Sequence, residues 1–169
     1  SIDRESLPVP SNSLVFYNFV DSFNSGVLQD LSGNLRNGVH ANLTKNTDGV
    51  YFNGVNSSVT VPDSTGGDFN VNTITMEAYV SVNTPLLEEG TIMSKPGDAT
   101  DFDMCAAVDS TNYKAGFYIN AGDRIYSGAL TGNTFRHIVC TMNGSVRRIY
   151  IDGVLSINTS FGGRSFNNN

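Results

Sequence analysis

The chain contains no tryptophan, only two cysteines, and no long apolar run. A membrane-spanning helix needs roughly 18 consecutive apolar residues, and no stretch approaches that length, so we expect no such span. Cys105 and Cys140 lie in separate, mainly apolar runs and lack the paired spacing of a metal or redox motif. We expect two buried, reduced thiols, with a disulfide between neighbouring strands left open as the alternative.

Basic residues are also scarce. The chain carries 10 Lys and Arg against 16 Asp and Glu, a formal net charge of -6. Because a negative protein repels phosphate backbones, we expect no nucleic-acid partner. The most basic local feature, Arg147-Arg148, falls in a predicted strand, where the expectation is a solvated position rather than a phosphate site.

Turn residues, by contrast, are abundant and separate short β-branched runs. The 169 residues include 17 glycines and fit one domain. The clearest strand is at residues 74–82, where apolar and polar residues alternate with a period of two. This pattern places Glu77 and Tyr79 on the outer face and Met76 and Ala78 towards a core.

Further strands are predicted at residues 14–20, 91–94, 102–108, 114–120, 125–130, 135–142 and 146–151, most of them separated by turn residues. Short runs at this spacing predict an all-β fold, a two-sheet antiparallel jelly-roll sandwich with little helix. The side chains expected in its core are Phe52, Ile74, Met76, Ala78, Val80, Ile138 and Ile149.

Four pieces of the sequence, in this order, resemble the laminin-G-like, concanavalin-A-like lectin/glucanase jelly roll. They are residues 30–34 (DLSGN) with Gly38, 50–54 (VYFNG) with 59–62 (VTVP), 74–80 (ITMEAYV), and 135–139 (FRHIV) with 148–154 (RIYIDGV). The family often has tryptophan where this chain has Tyr79 and Phe135. The core must therefore be filled by other residues.

The two ends of the chain carry a further expectation. Residues 1–13, with Pro8 and Pro10, are predicted to form an extended N-terminal arm, and residues 14–169 the jelly roll. The resemblance implies a closing strand that the sequence after Ser160 does not match, so we predict that it is absent. Its loss would leave residues 14–19 as an open sheet edge, which invites the arm of a neighbouring copy.

The resemblance also implies a calcium site in the rim loops, because hard oxygen ligands suit this cation. Asp21, Asp30 and Asn34 are the matching positions. The alternative is that Asp30 and Asn34 are turn formers that bond their own backbone. A second acidic group, Asp98, Asp101 and Asp103, is expected in a solvated loop.

A catalytic role is not expected. Glycoside hydrolysis needs two spaced carboxylates, and the Glu-x-Asp-x-Glu strand of related sandwich glucanases has no match here. Glu77 is alone on its strand, and Glu88-Glu89 is expected to lie in solvent. His40 and His137 lie on separate elements and mark no activated nucleophile.

The sequence therefore predicts a non-catalytic recognition module that binds carbohydrate or mediates adhesion on a surface-exposed protein. The alternative is a structural or decoration component of a virion, a phage capsid or tail, assembled through the arm and the sheet edge. The expected partners are a glycan or neighbouring protein subunits, and the expected location is extracellular or on a virion surface.

Overall fold

The computed structural model describes residues 12–20, 23–24, 26–62, 69, 71, 73–96, 102–109, 112–119 and 123–160. The chain divides into two compact units, residues 1–69 and residues 70–169. The described residues form strands and no helix, so they include no helix that could cross a membrane. Residues 1–11 of the predicted arm at residues 1–13 lie outside the described residues, as does the segment after Ser160 where a strand is predicted to be absent. The arm and the missing strand both stay predictions.

The first unit is built from short strands, because turn residues interrupt its apolar runs every few positions. Four strands form an antiparallel sheet in the order β1-β2-β3-β6, and two more form a separate hairpin, β4-β5. Their bounds are β1 Phe23–Asn24, β2 Val27–Leu28, β3 Gly38–Ala41, β4 Thr44–Asn46, β5 Gly49–Tyr51 and β6 Ser58–Thr60.

The second unit contains two four-stranded antiparallel sheets, which confirms the all-β sandwich prediction. Sheet I has the order β14-β13-β12-β7, and sheet II has the order β11-β10-β9-β8. Their strands are β7 Thr73–Ser81, β8 Gly90–Lys95, β9 Phe102–Asp109, β10 Asn112–Ile119, β11 Asp123–Tyr126, β12 Phe135–Asn143, β13 Val146–Ile151 and β14 Val154–Ser160.

The core of the second unit takes alternate side chains from both sheets, as the period of two predicts. Met76, Ile138 and Ile149 of sheet I are buried, which confirms their assignment. Ile74, Ala78 and Val80 are half-buried on the same side of β7. The buried set from sheet II includes Met104, Tyr113, Ala115, Phe117 and Ile125.

The core prediction is wrong for Phe52, which is 44% exposed. It lies just after β5, beyond the last ladder pair of the hairpin, so no partner strand covers it. Its ring instead meets that of Phe19 edge-on, with 6.2 Å between the centroids.

The prediction that residues 14–20 form a strand, with an open edge at residues 14–19, is also wrong. The amide of Phe16 donates to Asp30 Oδ1 at 3.0 Å, and its carbonyl accepts the Leu31 amide at 2.8 Å. The carbonyl of Leu14 accepts from Arg36 Nη1 at 2.7 Å. Loop groups therefore occupy backbone donors and acceptors that an open edge would leave free.

Arg147 contradicts the expected solvated position, since it is only 3% exposed. It is paired with Met142 of β12, and both lie on the core side of sheet I. Arg148, the next residue, lies on the opposite face because side chains alternate along a strand.

Cys105 and Cys140 are free thiols and fully buried, as predicted. Burial disfavours the thiolate and raises the pKa of each to about 12. Neither thiol is therefore poised as a nucleophile.

Candidate functional site

Asp30 is buried between β2 and β3, and its carboxylate is surrounded by donors. Oδ1 accepts the amides of Phe16 (3.0 Å) and Ser32 (2.9 Å), and Oδ2 accepts the Ser32 hydroxyl (2.8 Å) and the Arg36 amide (3.0 Å). Burial by itself raises the pKa of Asp30, but these bonds favour the charged form, and the net effect lowers the pKa.

Asn34 is joined to Asp30 through Ser32. Its Nδ2 donates to Ser32 Oγ at 3.0 Å and to the carbonyl oxygens of Ser13 and Leu14 at 2.8 and 3.1 Å. Asp30 and Asn34 therefore bond local and neighbouring backbone, which is what the turn-forming interpretation describes.

Asp21, the third predicted calcium ligand, lies outside the described residues. Among the residues that the structure describes, no three His, Cys, Asp or Glu side chains form a group that could hold a metal ion. Calcium binding through Asp21, Asp30 and Asn34 stays a prediction. Of the second acidic group, Asp103 lies in β9 rather than in a loop, and Asp98 and Asp101 lie outside the described residues.

The outer face of sheet I carries the most exposed aromatic and ionisable groups of its strands, and we call it the Tyr79 face. Ladder register decides its membership, since residues directly opposite each other share a face. On three strands of the sheet it comprises Thr73, Thr75, Glu77, Tyr79 and Ser81 of β7, Phe135, His137, Val139, Thr141 and Asn143 of β12, and Val146, Arg148 and Tyr150 of β13.

Tyr79 and Phe135 form a stacked pair at one end of this face. Their ring centroids are 5.1 Å apart, with an angle of 16° between the ring planes. Tyr79 is nevertheless 71% exposed. Tyr79 and Phe135 are the two positions at which the laminin-G-like family often has tryptophan. The stack fixes an aromatic ring that stands in solvent.

Glu77 and His137 lie beside this stack. Glu77 Oε1 is 2.8 Å from His137 Nε2, and both side chains are partly exposed. An ionised carboxylate only accepts hydrogen bonds, so Nε2 carries the proton in this contact. The pair offers a ligand a carboxylate acceptor next to an imidazole.

Asp152 fixes the backbone of His137. Its Oδ1 accepts the His137 amide at 3.0 Å, and its own amide donates to the His137 carbonyl at 2.8 Å. Oδ2 accepts from Arg136 Nη1 at 2.7 Å. The hydrogen bond from the His137 amide, followed by that from Arg136, lowers the pKa of Asp152.

The local sequence explains why Asp152 reaches His137. Asp152 and Gly153 have φ angles of 51° and 80°, so both occupy the left-handed region. That is the conformation of a two-residue type I′ hairpin, for which Asp-Gly is a favoured pair. The tight turn between β13 and β14 brings the Asp152 carboxylate against β12.

A second polar cluster lies on sheet II around Tyr118. The Tyr118 hydroxyl donates to Glu89 and lies 3.2 Å from the Tyr126 hydroxyl, and Arg124 stacks 4.3 Å above the Tyr118 ring. Tyr118 is buried, and this burial raises its pKa. The hydrogen bond from Tyr118 ties Glu89 to sheet II. Glu88 and Glu89 are nevertheless both exposed, as expected.

Sequence reasoning missed both polar arrangements. Glu77 and His137 are 60 residues apart. Their contact depends on the register of β7 against β12, which the alternation within either strand does not determine. For the Tyr118 cluster, the available signal was the spacing of Tyr118, Arg124 and Tyr126, which places all three on one face of a β10–β11 hairpin.

The Tyr79 face carries an exposed aromatic ring beside polar side chains, the kinds of group that can contact a sugar. An exposed aromatic ring offers an apolar surface for the carbon-bound hydrogens of a pyranose, and nearby polar groups bond its hydroxyls. Glu77, His137, Thr75 and Thr141 supply such groups on this face.

Comparison with protein families agrees with this geometry. The family model described as the concanavalin A-like lectin/glucanases superfamily, of the laminin G type, matches residues 52–169. Neither the curated proteins nor the solved structures that were searched contain a match. Because the matched residues make up well over half of the chain and include sheets I and II, the chain belongs to the concanavalin A-like lectin/glucanase superfamily.

Proposed function

We propose that this protein is a non-catalytic carbohydrate-binding or adhesion module and that the Tyr79 face is its binding surface. One observation carries the proposal. The Tyr79 ring is 71% exposed, yet it is held by stacking on Phe135 next to the hydrogen-bonded Glu77–His137 pair.

Preorganisation of these side chains supports the proposal. A ring that is already fixed loses little rotamer freedom when a sugar stacks on it, so more of the contact energy remains for binding. Phe135 supplies that fixation for Tyr79, and Asp152 supplies it for the backbone of His137.

Hydrogen-bonding capacity on the face also supports it. Glu77 uses Oε1 for His137, and a carboxylate has about four lone-pair positions in total. Glu77 is therefore able to accept further hydrogen bonds from sugar hydroxyls.

The absence of a paired carboxylate on this face supports the non-catalytic part. Glycoside hydrolysis by the usual routes uses two carboxylates on either side of the scissile bond. Among the strand residues described for the Tyr79 face, Glu77 is the only carboxylate. The superfamily includes glucanases by name, so a hydrolysis assay belongs to the test.

The test is a glycan microarray with the wild-type protein, Tyr79→Ala and Tyr51→Ala. Tyr51 is an exposed tyrosine of the first unit and serves as the matched control. We expect Tyr79→Ala to weaken binding of the retained glycans by about tenfold or more, corresponding to about 1.4 kcal/mol, and Tyr51→Ala to leave it unchanged. No retained glycan, equal loss in both variants, or release of reducing ends from a bound glycan would contradict the proposal.

The location and the assembly role are separate proposals. A surface-exposed position, extracellular or on a virion, fits a glycan-binding role and needs direct localisation. The virion alternative depends on the arm at residues 1–13, most of which lies outside the described residues, so it stays a prediction.

A further inference from the structure

A second tyrosine, Tyr150, lies on the Tyr79 face. Val139 of β12 is directly opposite Tyr150 on one side and Glu77 on the other, so the three side chains form one row across sheet I. Tyr150 is half-buried, and Leu155, the residue opposite it on β14, is exposed. Tyr150 therefore keeps part of its surface in solvent.

The spacing of the two tyrosines follows from the register. Tyr150 is two strands away from β7, about 10 Å at the usual separation of neighbouring strands. The row of side chains that contains Tyr150 also contains Glu77. Tyr79 follows Glu77 by two residues, so it lies about 7 Å further along β7. The two positions are therefore about 12 Å apart along a diagonal of the face. This diagonal crosses β12 between Val139 and His137.

We propose that Tyr79 and Tyr150 are two stacking subsites for one linear glycan. The inference rests on the proposed function and adds the class of ligand. Two stacked sugar units with one unit between them would bridge this diagonal, with the middle unit between Val139 and His137. The Glu77–His137 pair lies beside the path and would bond hydroxyls near the Tyr79 subsite.

The chemistry of the face selects among linear glycans. Stacking at both tyrosines requires units n and n+2 to present the same flat apolar face, as in β-1,4-linked pyranose chains, where successive units are turned by about half a rotation. The net charge of -6 disfavours polyanionic chains. The ligand is therefore a neutral, extended chain of at least three units.

Chain length is the variable that tests this inference. Calorimetric titrations use β-1,4-linked oligosaccharides of one to six units, made of glucose, mannose or N-acetylglucosamine. For at least one series, we expect affinity to rise about tenfold or more between two and three units, because the second stacking contact forms there, and then to level off.

Variants of Tyr150 test whether this residue causes the rise in affinity at three units. Tyr150→Ala should keep the affinity for one or two units and lose the rise at three, and Tyr150→Phe should restore it because the ring is retained. Tyr79→Ala should weaken binding at every length. Circular dichroism checks that each variant is folded, and Tyr51→Ala is again the matched control.

The outcomes separate this inference from the proposed function. Binding that is independent of chain length, or an unchanged rise in Tyr150→Ala, overturns the two-subsite inference and leaves a single Tyr79 site intact. Failure of all three series to bind, when the array retains another glycan, overturns the ligand class alone. An empty array overturns both.

Discussion

Glu77 and His137 contact each other diagonally across β7 and β12, at 2.8 Å between Oε1 and Nε2. In the ladder register, Glu77 is opposite Val139 and His137 is opposite Tyr79. Diagonal neighbours on a sheet face are within reach of long side chains. The two polar groups thus face each other, and the Tyr79 ring beside them is 71% exposed.

This pair should contribute little to stability and more to binding. A double-mutant cycle of Glu77→Ala and His137→Ala, followed by urea unfolding, should give a coupling of about 0.2–1 kcal/mol, because both side chains are solvent-exposed. Glycan affinity should fall in both single variants. Asp109→Ala, which breaks the exposed Lys114–Asp109 pair (3.6 Å), is the control and should not affect glycan affinity. Equal losses of affinity in all three variants would contradict a role in the site.

Gly116→Ala should destabilise the second unit. A Cβ atom at this position would lie 2.5 Å from Cys105 Sγ and 3.2 Å from the Tyr126 ring, so the packed side chains must shift. Overpacking of this kind costs about 1–3 kcal/mol in the free energy of unfolding. Gly128→Ala is the matched control, because a Cβ atom there meets nothing within 4 Å. Urea midpoints that fall equally in both variants would show that the contact is unimportant.

Asp30 should make stability depend on pH in the acid range. Its pKa is lowered in the folded state, so its contribution is present above the unfolded value, near 3.8, and is lost as the pH falls through the lowered folded value. Asp30→Asn should lower the free energy of unfolding at pH 7 by about 2–3 kcal/mol and flatten this dependence. Asp48→Asn, in an exposed turn, is the control. Parallel acid profiles for wild type and Asp30→Asn would contradict the assignment.

Calcium binding is tested by the same variant. If Asp21, Asp30 and Asn34 ligate calcium, millimolar calcium should raise the unfolding temperature of the wild type relative to chelator, by mass action, and not that of Asp30→Asn. The Asp30 carboxylate already accepts four hydrogen bonds, so a calcium ion bound to it would have to replace some of them. An unchanged unfolding temperature in the wild type would remove the calcium prediction.

Local sequence patterns predicted strands, because the alternation of side chains along a strand is a local property of the backbone. The period of two at residues 74–82 predicted β7, and Met76 proved buried and Tyr79 exposed on opposite faces. The Asp152-Gly153 turn is local for the same reason, since left-handed φ angles depend on the residues themselves.

Such local patterns could not predict the register between distant strands or the burial of a charged side chain. Arg147 is an ionisable residue on the core side of its strand, and only its pairing with Met142 reveals this. The Glu77–His137 contact likewise depends on how two distant strands align. Phe52 is the opposite case, an apolar residue that is exposed. It lies just beyond a strand end, where no partner strand covers it.

The burial of both thiols has a practical consequence for studying the Tyr79 face. The chain has two cysteines in all, and neither reaches solvent in the folded protein. A cysteine introduced at Ser81 or Thr75, on the Tyr79 face, would therefore be the one reactive attachment point on the native surface. A fluorophore fixed there would report ligand contact directly, in the wild-type background and without first replacing any native residue of the core.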